Sequence, residues 1–516
     1  MQSFSDARRI AHPAAKPDGK VELSLPARRK RAAGAGEGAN SPDFITALAR
    51  GLEVLRCFRH GVTALGNLDL ARLTGLPKPT ISRITYTLTE LGYLRYHPDT
   101  GKYSPGYGVL ALGFGLLAGL EVRELAKASM TELARATALQ QRLLTLDSHL
   151  DTPANFARPG FDILHRHDHN ALSQVDYPRM LDGALDGGFW AIYTDQGDRS
   201  AAAHLAERDH GLQRLIEIRE MLAAHPDRFQ LALTADDAAR IKAAGKRVVY
   251  ISMENGSPLV ADPSLLGFYY KAGLRLMSTV HFANNEFADS ATDPKGAEWK
   301  GLSPAGKALV QEAVRLGIVI DQSHASDAVF DDLAAMLPVP FILSHSAAKA
   351  VFGHPRNLDD ARLRQLAAKG GVIQVNAYGG YLVDETPSEE RKQAEEALEK
   401  RLGGWDDMPI DKGVELARAM AELDKRLPRR RATLDDFFVH FGHILDVVGP
   451  DHVGIGMDWD GGGGLPGMAD ITDLPKITAW LQRRGLSEAQ IADIWSGNVL
   501  RVMRQAQDYA AKNGAK

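Results

Sequence analysis

Residues 301–324, GLSPAGKALVQEAVRLGIVIDQSH, hold a helix and a strand in a single stretch. Ser303 can cap the helix and Pro304 suits its first turn, and the apolar residues up to Leu316 recur at helical spacing. The run 318–324 (IVIDQSH) then has the length of a strand and stops at a histidine. Seven other runs share this form: 142–149 (RLLTLDSH), 188–195 (GFWAIYTD), 248–254 (VVYISME), 274–281 (LRLMSTVH), 340–345 (PFILSH), 371–378 (GVIQVNAY) and 453–458 (VGIGMD). Strands apolar on both faces and separated by helices imply a parallel sheet buried on both sides. Eight such units predict an α/β fold, a closed (β/α)8 TIM-like barrel whose chemistry sits where the strands end.

At 516 residues the chain is long enough for more than one domain. Hydrophobic residues make up 44% and charged residues 24%, a globular balance rather than a disordered one. A formal charge of −4 leaves no overall basic excess for nucleic acid, so any such signal must be local. No run is long enough to span a bilayer, and the basic N-terminal stretch lacks the apolar core of a secretion signal, so the expected address is the cytoplasm with no membrane partner. Cys57, the only cysteine, leaves no intramolecular disulfide and no thiolate cluster for structural zinc.

Ahead of the barrel the texture differs. Residues 1–42, rich in Ala, Pro, Gly and basic residues with Arg28-Arg29-Lys30-Arg31 as the densest run, are expected to be a disordered basic tail, either merely solvated or adding phosphate contacts. Residues 43–125 read as short helices and a hairpin. Helices are expected over 46–58, 68–74 and 79–91, with Gly75-Leu76-Pro77 breaking the second and Ile81, Ile84, Leu88 and Leu91 on the buried face of the third. The other face of the third carries Lys78, Thr80, Ser82, Arg83 and Tyr86, the groups expected to meet DNA in the major groove. Two β-prone stretches, 93–96 and 102–104, flank a turn at 97–101 and form a wing. A packing or dimerisation unit is the plainer alternative. The phrases LARLTGLPKPTISRITYTLTELGYL and DTGKYSPGYGVLALG resemble the winged helix of IclR-type transcription regulators. That resemblance implies DNA as a partner and a homodimer joined through the helix after the wing, about 121–138. A linker helix over 126–139 is then expected to lead into a barrel over 140–516, where such regulators would normally continue into an effector domain.

A hydrolytic zinc site needs histidine nitrogens, carboxylate oxygens and an open position for water. His149 and Asp151, two apart, point to one side in extended geometry. Glu254 ends the third run with a carboxylate able to span two ions, and His324 and His345 end the fifth and sixth. Such a pair of ions would acidify a bridging water to hydroxide and polarise the carbonyl under attack. Asp458 is the expected proton carrier, favoured over Asp460 because it directly follows the apolar run, and His281 is a candidate donor to the developing oxyanion.

The phrases TLDSHLDTP, GLSPAGKALVQEAVRLGIVIDQSHAS, ILSHSAAKAV, HPRNL and HVGIGMDWDGGGG resemble the renal (membrane) dipeptidase family, peptidase family M19. This resemblance implies two zinc ions per chain, one on His149, Asp151 and Glu254 and the other on Glu254, His324 and His345. It also implies hydrolysis of a dipeptide, contact of His281 with the scissile group, Arg356 on the substrate's C-terminal carboxylate, and proton handling by Asp458. The expected function is a zinc dipeptidase fused to a DNA-binding domain. One alternative is a transcriptional regulator whose barrel senses a dipeptide-like ligand with little or no hydrolysis, and another is an enzyme whose winged helix only dimerises. Residues 165–169 (HRHDH) imitate a metal motif but follow no strand and are expected to be an exposed loop. Gly461–Gly464 lacks the lysine of a phosphate loop and is expected to let the backbone pass close to the site. The charged segment 385–431 is expected to be a helical insertion, either solvated or acting as a lid or dimer contact.

Overall fold

The computed structural model describes residues 44–58, 64–118, 121–167, 173–402 and 410–513. The expected basic tail, Asp168 and His169 of the histidine-rich stretch, and Gly403-Gly404 lie outside them. The chain divides into two compact units, Met1–Leu125 and Ala126–Lys516.

In the first unit, helices α1 (Thr46–Arg56), α2 (Asn67–Thr74) and α3 (Lys78–Glu90) pack Val54, Leu70 and Ile81 into a small core closed by Leu94. Gly75 takes the left-handed conformation that ends α2, and Thr85, buried in α3, bonds to Asn67 at the start of α2. Strands β1 (Leu65–Gly66), β2 (Leu94–His97) and β3 (Lys102–Pro105) form an antiparallel sheet in the order β1-β3-β2, which is the wing with one short strand added. Lys78, Ser82, Arg83 and Tyr86 are exposed and Thr80 is half-buried. Leu91 departs from the expected buried face. It falls one residue past the end of α3, where the helical period no longer aims it inward, and is 62% exposed.

The second unit is built on β4 (Leu146–Leu150), β5 (Gly187–Tyr193), β6 (Phe229–Leu231), β7 (Arg247–Glu254), β8 (Leu274–Ser278), β9 (Val319–Asp321), β10 (Ile342–Ser346), β11 (Val372–Val375) and β12 (Val453–Ile455). The parallel order is β12-β11-β10-β9-β8-β7-β5-β4, with the short β6 pairing beside β7 off this path. Each of the eight expected runs supplies a strand. Helices such as Pro304–Leu316, capped by Ser303, cover the outside. The circle closes where Leu150 bridges Trp459 and the Asp151 N–H donates to the Trp459 carbonyl at 3.0 Å. The buried Asp147 carboxylate reinforces this seam by accepting from the backbone N–H of His149 and of Met457.

Strand alternation separates two faces. Leu146, Phe189, Val248, Tyr250, Leu276, Val319, Ile342 and Val372 cluster with Val499 and Met503 of the last helix, while Trp190, Ile251, Met277 and Leu343 join the larger cluster. Glu254 shares the period-2 face of Val248 and Tyr250. The pairing of β4 slips between Asp147 and Leu150, and that of β10 between Leu343 and Ser346. These irregularities fall at His149 and His345 and re-aim both side chains, as bulges next to active sites do.

Several runs stop short of their expected polar ends. Arg142 belongs to the helix Glu121–Arg142, so β4 starts only at Leu146. Asp195, His281, His324 and Asp458 lie two or three residues beyond their strands, and His324 and Asp458 sit in left-handed turns at φ 68° and 66°. The ladder cannot continue through such turns, so the fifth and eighth runs cannot be strand as far as their polar ends. In the segment between β11 and β12, helices Glu389–Leu402 and Ile410–Arg426 pair with each other.

Candidate metal centre

Five side chains meet at the ends of β4, β7, β9 and β10, all of them buried. His149 lies inside β4 and His345 inside β10, Glu254 is the last residue of β7, and Asp151 and His324 stand just past β4 and β9. The Glu254 carboxylate divides them. Its Oε2 is 3.3 Å from His149 Nε2, which in turn is 3.2 Å from Asp151 Oδ2. Its Oε1 is 3.0 Å from His324 Nε2 and 3.4 Å from His345 Nε2, and those two nitrogens approach each other to 2.9 Å. Asp458 adjoins His149 and His345, and His281 Nε2 is 3.8 Å from Glu254 Oε1.

The residues fit a pair of divalent cations. The donors are imidazole nitrogens and carboxylate oxygens without a thiolate, a set suited to zinc. His149 Nε2 and Asp151 Oδ1 are buried with no hydrogen-bond partner, a costly condition that a cation between them would relieve. Burial alone would lower the His149 pKa, but the Asp151 and Glu254 carboxylates outweigh it and hold it well above the ordinary imidazole value. Burial would raise Glu254, yet His149 and His281 hold it well below the usual carboxylate range. His324 and His345 are pushed well down by burial, then by Arg356 and by His149 respectively, so both stay neutral and keep a lone pair.

The supporting shell fixes which nitrogen of His345 faces the cluster. Ser344 Oγ donates to Asp321 Oδ2, and it lies 2.8 Å from His345 Nδ1. Its one proton being spent, the hydroxyl must accept from Nδ1–H, which leaves Nε2 unprotonated toward Glu254. Asp321 Oδ1 also accepts from the backbone N–H of Ser323 and Ser344. Neither Asp321 nor Asp147 was singled out from the sequence. An aspartate inside an apolar run (IVIDQSH, TLDSH) was the available signal.

A cavity of about 720 Å3 opens over the cluster and is lined by Glu254, His281, His324 and Asp458 together with Tyr193, Tyr378 and Tyr381. Arg158, Asp195 and Arg431 also reach it; Asp195 ends the second run, whereas neither arginine was expected there. The two aspartates at the eighth strand differ sharply. Asp460 is saturated by the hydroxyls of Thr152 and Ser173 and by the N–H of Gln174, which makes it a scaffold. Asp458 accepts none of these bonds and lines the cavity, and burial pushes its pKa up to about 8. Burial lowers the pKa of His281, so its imidazole is neutral and can donate a hydrogen bond. Arg356 is 4% exposed, donates to the His345 carbonyl at 3.1 Å, lies 5.3 Å from the Tyr381 ring centroid, and has no partner at Nε. The glycine run is sterically required: a Cβ on Gly461 would lie 2.0 Å from Asp151 Oδ2, and Gly462 has φ +121° against the Tyr378 ring. His165 pairs with Asp162 at the surface and takes no part in the cluster.

Comparison with known proteins identifies both halves. The family described as membrane dipeptidase, peptidase family M19, matches residues 133–516, and the IclR helix-turn-helix domain matches residues 47–98. A dipeptidase of Aspergillus terreus, ataJ, is 30% identical over 409 residues, covering 74% of this chain and 90% of its own. Another from Claviceps purpurea, tcpJ, is 28% identical over 342 residues, covering 65% and 70%. Among solved structures, the probable dipeptidase PvdM from Pseudomonas aeruginosa is 28% identical with a TM-score of 0.63, covering 74% of this chain and 99% of its own. Among the described residues no helix is long and apolar enough to cross a membrane.

Proposed function

Because the chain belongs to the membrane dipeptidase family, peptidase family M19, and carries an IclR-type helix-turn-helix domain, we propose that it is a two-zinc dipeptidase joined to a DNA-binding module. The single observation carrying this reading is the division of Glu254, one oxygen toward His149 and the other toward His324 and His345. His149, Asp151 and Glu254 would hold one zinc and Glu254, His324 and His345 the other. Such a pair, when bound, acidifies a shared water and polarises the amide carbonyl.

The chain's own groups supply the remainder. Arg356 holds the dipeptide's C-terminal carboxylate, a role its buried guanidinium and unpartnered Nε support. His281 donates from Nε2 to the oxygen of the scissile carbonyl as charge builds on it. Asp458, which burial alone would keep protonated at neutral pH, would be held as a carboxylate by the charge of the bound cations, and so could take the proton of the attacking water and deliver it to the leaving amine. A barrel that only sensed a peptide would have no need of that proton carrier. In the first unit, Lys78, Thr80, Ser82, Arg83 and Tyr86 would face DNA from α3, with a cytoplasmic address and a homodimer following from that role. We assign 43–125 to DNA binding, 126–139 to a linker helix and 140–516 to the enzyme.

The test is elemental analysis of the purified chain together with a dipeptide panel before and after zinc loading. Two zinc ions per chain and metal-dependent cleavage are expected. Far fewer than two ions after loading, or a loaded protein that cleaves no dipeptide, would reject the proposal.

A further inference from the structure

Beside the cavity over the metal cluster lies another of about 410 Å3, and the two share Tyr378, Arg431, Gly462 and Leu465 as walls. Its lining takes in Arg429, Arg431 and Ala432 from the strap 427–432, the end of the charged insertion before the helix Leu434–Val448. That segment is tightly held. Arg391, 1% exposed, donates to the Leu427 carbonyl at 2.6 Å while pairing with Glu395 and Asp424, and the Ala432 N–H donates to Glu385 at 2.6 Å. Both ends of the strap are thus fixed by charged side chains, which an insertion serving only as a solvated surface would not require.

The strap presents three consecutive arginines. Arg430 approaches Asp436 and Arg431 approaches Asp424, each at 3.8 Å. Arg429 lines the second cavity, and its buried Nε has no hydrogen-bond partner. Two carboxylates also line that cavity, Asp384, which is exposed and accepts from the N–H and hydroxyl of Thr386, and Glu385, which accepts from Ala432, and neither is paired with Arg429. A guanidinium with an unspent donor in a cavity is a receptor for an anion.

The position of the cavity says which anion. His354, also in its lining, accepts from the backbone N–H of Arg356 at 3.2 Å, and its ring lies 5.0 Å from that of Tyr381, which packs against the Arg356 guanidinium. The cavity is therefore separated by His354 and Tyr381 from the group assigned to the substrate's C-terminal carboxylate. We propose that it receives the side chain of the dipeptide's C-terminal residue and selects an acidic one, whose carboxylate is bound by Arg429. This rests on the dipeptidase reading and adds the substrate class.

The zinc-loaded full chain is assayed on Ala-Glu, Ala-Gln, Ala-Asp, Ala-Asn and Ala-Ala, in the wild type and in Arg429→Gln, Arg429→Lys and Arg430→Gln. Wild type is expected to favour each acidic dipeptide over its amide by about 10-fold or more in kcat/KM, through KM. Arg429→Gln brings that ratio close to one, Arg429→Lys retains part of it, and Arg430→Gln leaves it as in the wild type. Melting curves establish that each variant folds. Equal rates on acid and amide in the wild type, or a preference that survives Arg429→Gln, would overturn the subsite while leaving the dipeptidase reading intact. Cleavage of none of the five would defeat both.

Discussion

Replacing Ser344 by alanine tests whether the geometry around His345 governs metal affinity. The substitution removes the hydroxyl that accepts from His345 Nδ1 and donates to Asp321 Oδ2, and all three residues are buried. No water can readily replace it, so Nδ1–H and one carboxylate oxygen lose their partner and the imidazole loses its fixed tautomer. Loss of such a supporting contact costs metal affinity about 10- to 100-fold, which is about 1.4 to 2.8 kcal/mol. Asp321→Asn keeps the shape but supplies an amide that can donate to Ser344. The serine proton is then free to point at Nδ1, favouring Nε2–H, which aims a proton where the cation belongs. We expect Asp321→Asn to weaken zinc at least as much as Ser344→Ala, although it is the smaller structural change. Competition with a fluorescent chelator measures the affinity, and raising free zinc should restore dipeptide hydrolysis in both variants. If either variant binds both ions within twofold of the wild type, the reasoning about the tautomer is wrong.

Asp458→Asn should keep two ions per chain while kcat falls about 10²- to 10⁴-fold; loss of metal together with activity would make Asp458 a ligand instead. Stripping zinc should abolish hydrolysis and lower the melting temperature of the barrel, because a ligand of the native state alone stabilises it by mass action, and a scan unmoved by chelation would contradict that linkage. For the first unit, Arg83→Ala should weaken binding to DNA from upstream of the gene while leaving dipeptide hydrolysis unchanged; an unaltered gel shift would remove Arg83 from the recognition surface.

The barrel was legible because each strand is buried on both faces, which writes it into the sequence as an apolar run. The short β6 escaped because three residues, FQL, carry no readable period. The candidate ligands were visible for a related reason: a histidine or carboxylate at the end of such a run has no packing role to explain it. Their backbone was not visible, since the left-handed turns at His324 and Asp458 and the slipped pairing at His149 and His345 depend on contacts with other strands. Asp458 and Asp460 could be ranked from sequence only by position, whereas the hydrogen bonds of Thr152, Ser173 and Gln174 separate them outright. Arg429 and Arg431 looked like surface charge because nothing local reveals that Arg391 and Glu385 tie their backbone beside the cavity.

The seam between the first and last strands has a bearing on biosynthesis. Thr152 and Asp460, joined by a hydrogen bond across it, are 308 residues apart in the chain. Translation therefore exposes the open edge of β4 long before its neighbour exists, and His149 and Asp151 emerge from the ribosome well ahead of Asp458. During that interval the nascent sheet has an unprotected border of the kind that invites misassociation. A chain released early, before Asp458, would be both unclosed and short of its proton carrier, so incomplete products would be inert rather than partly active.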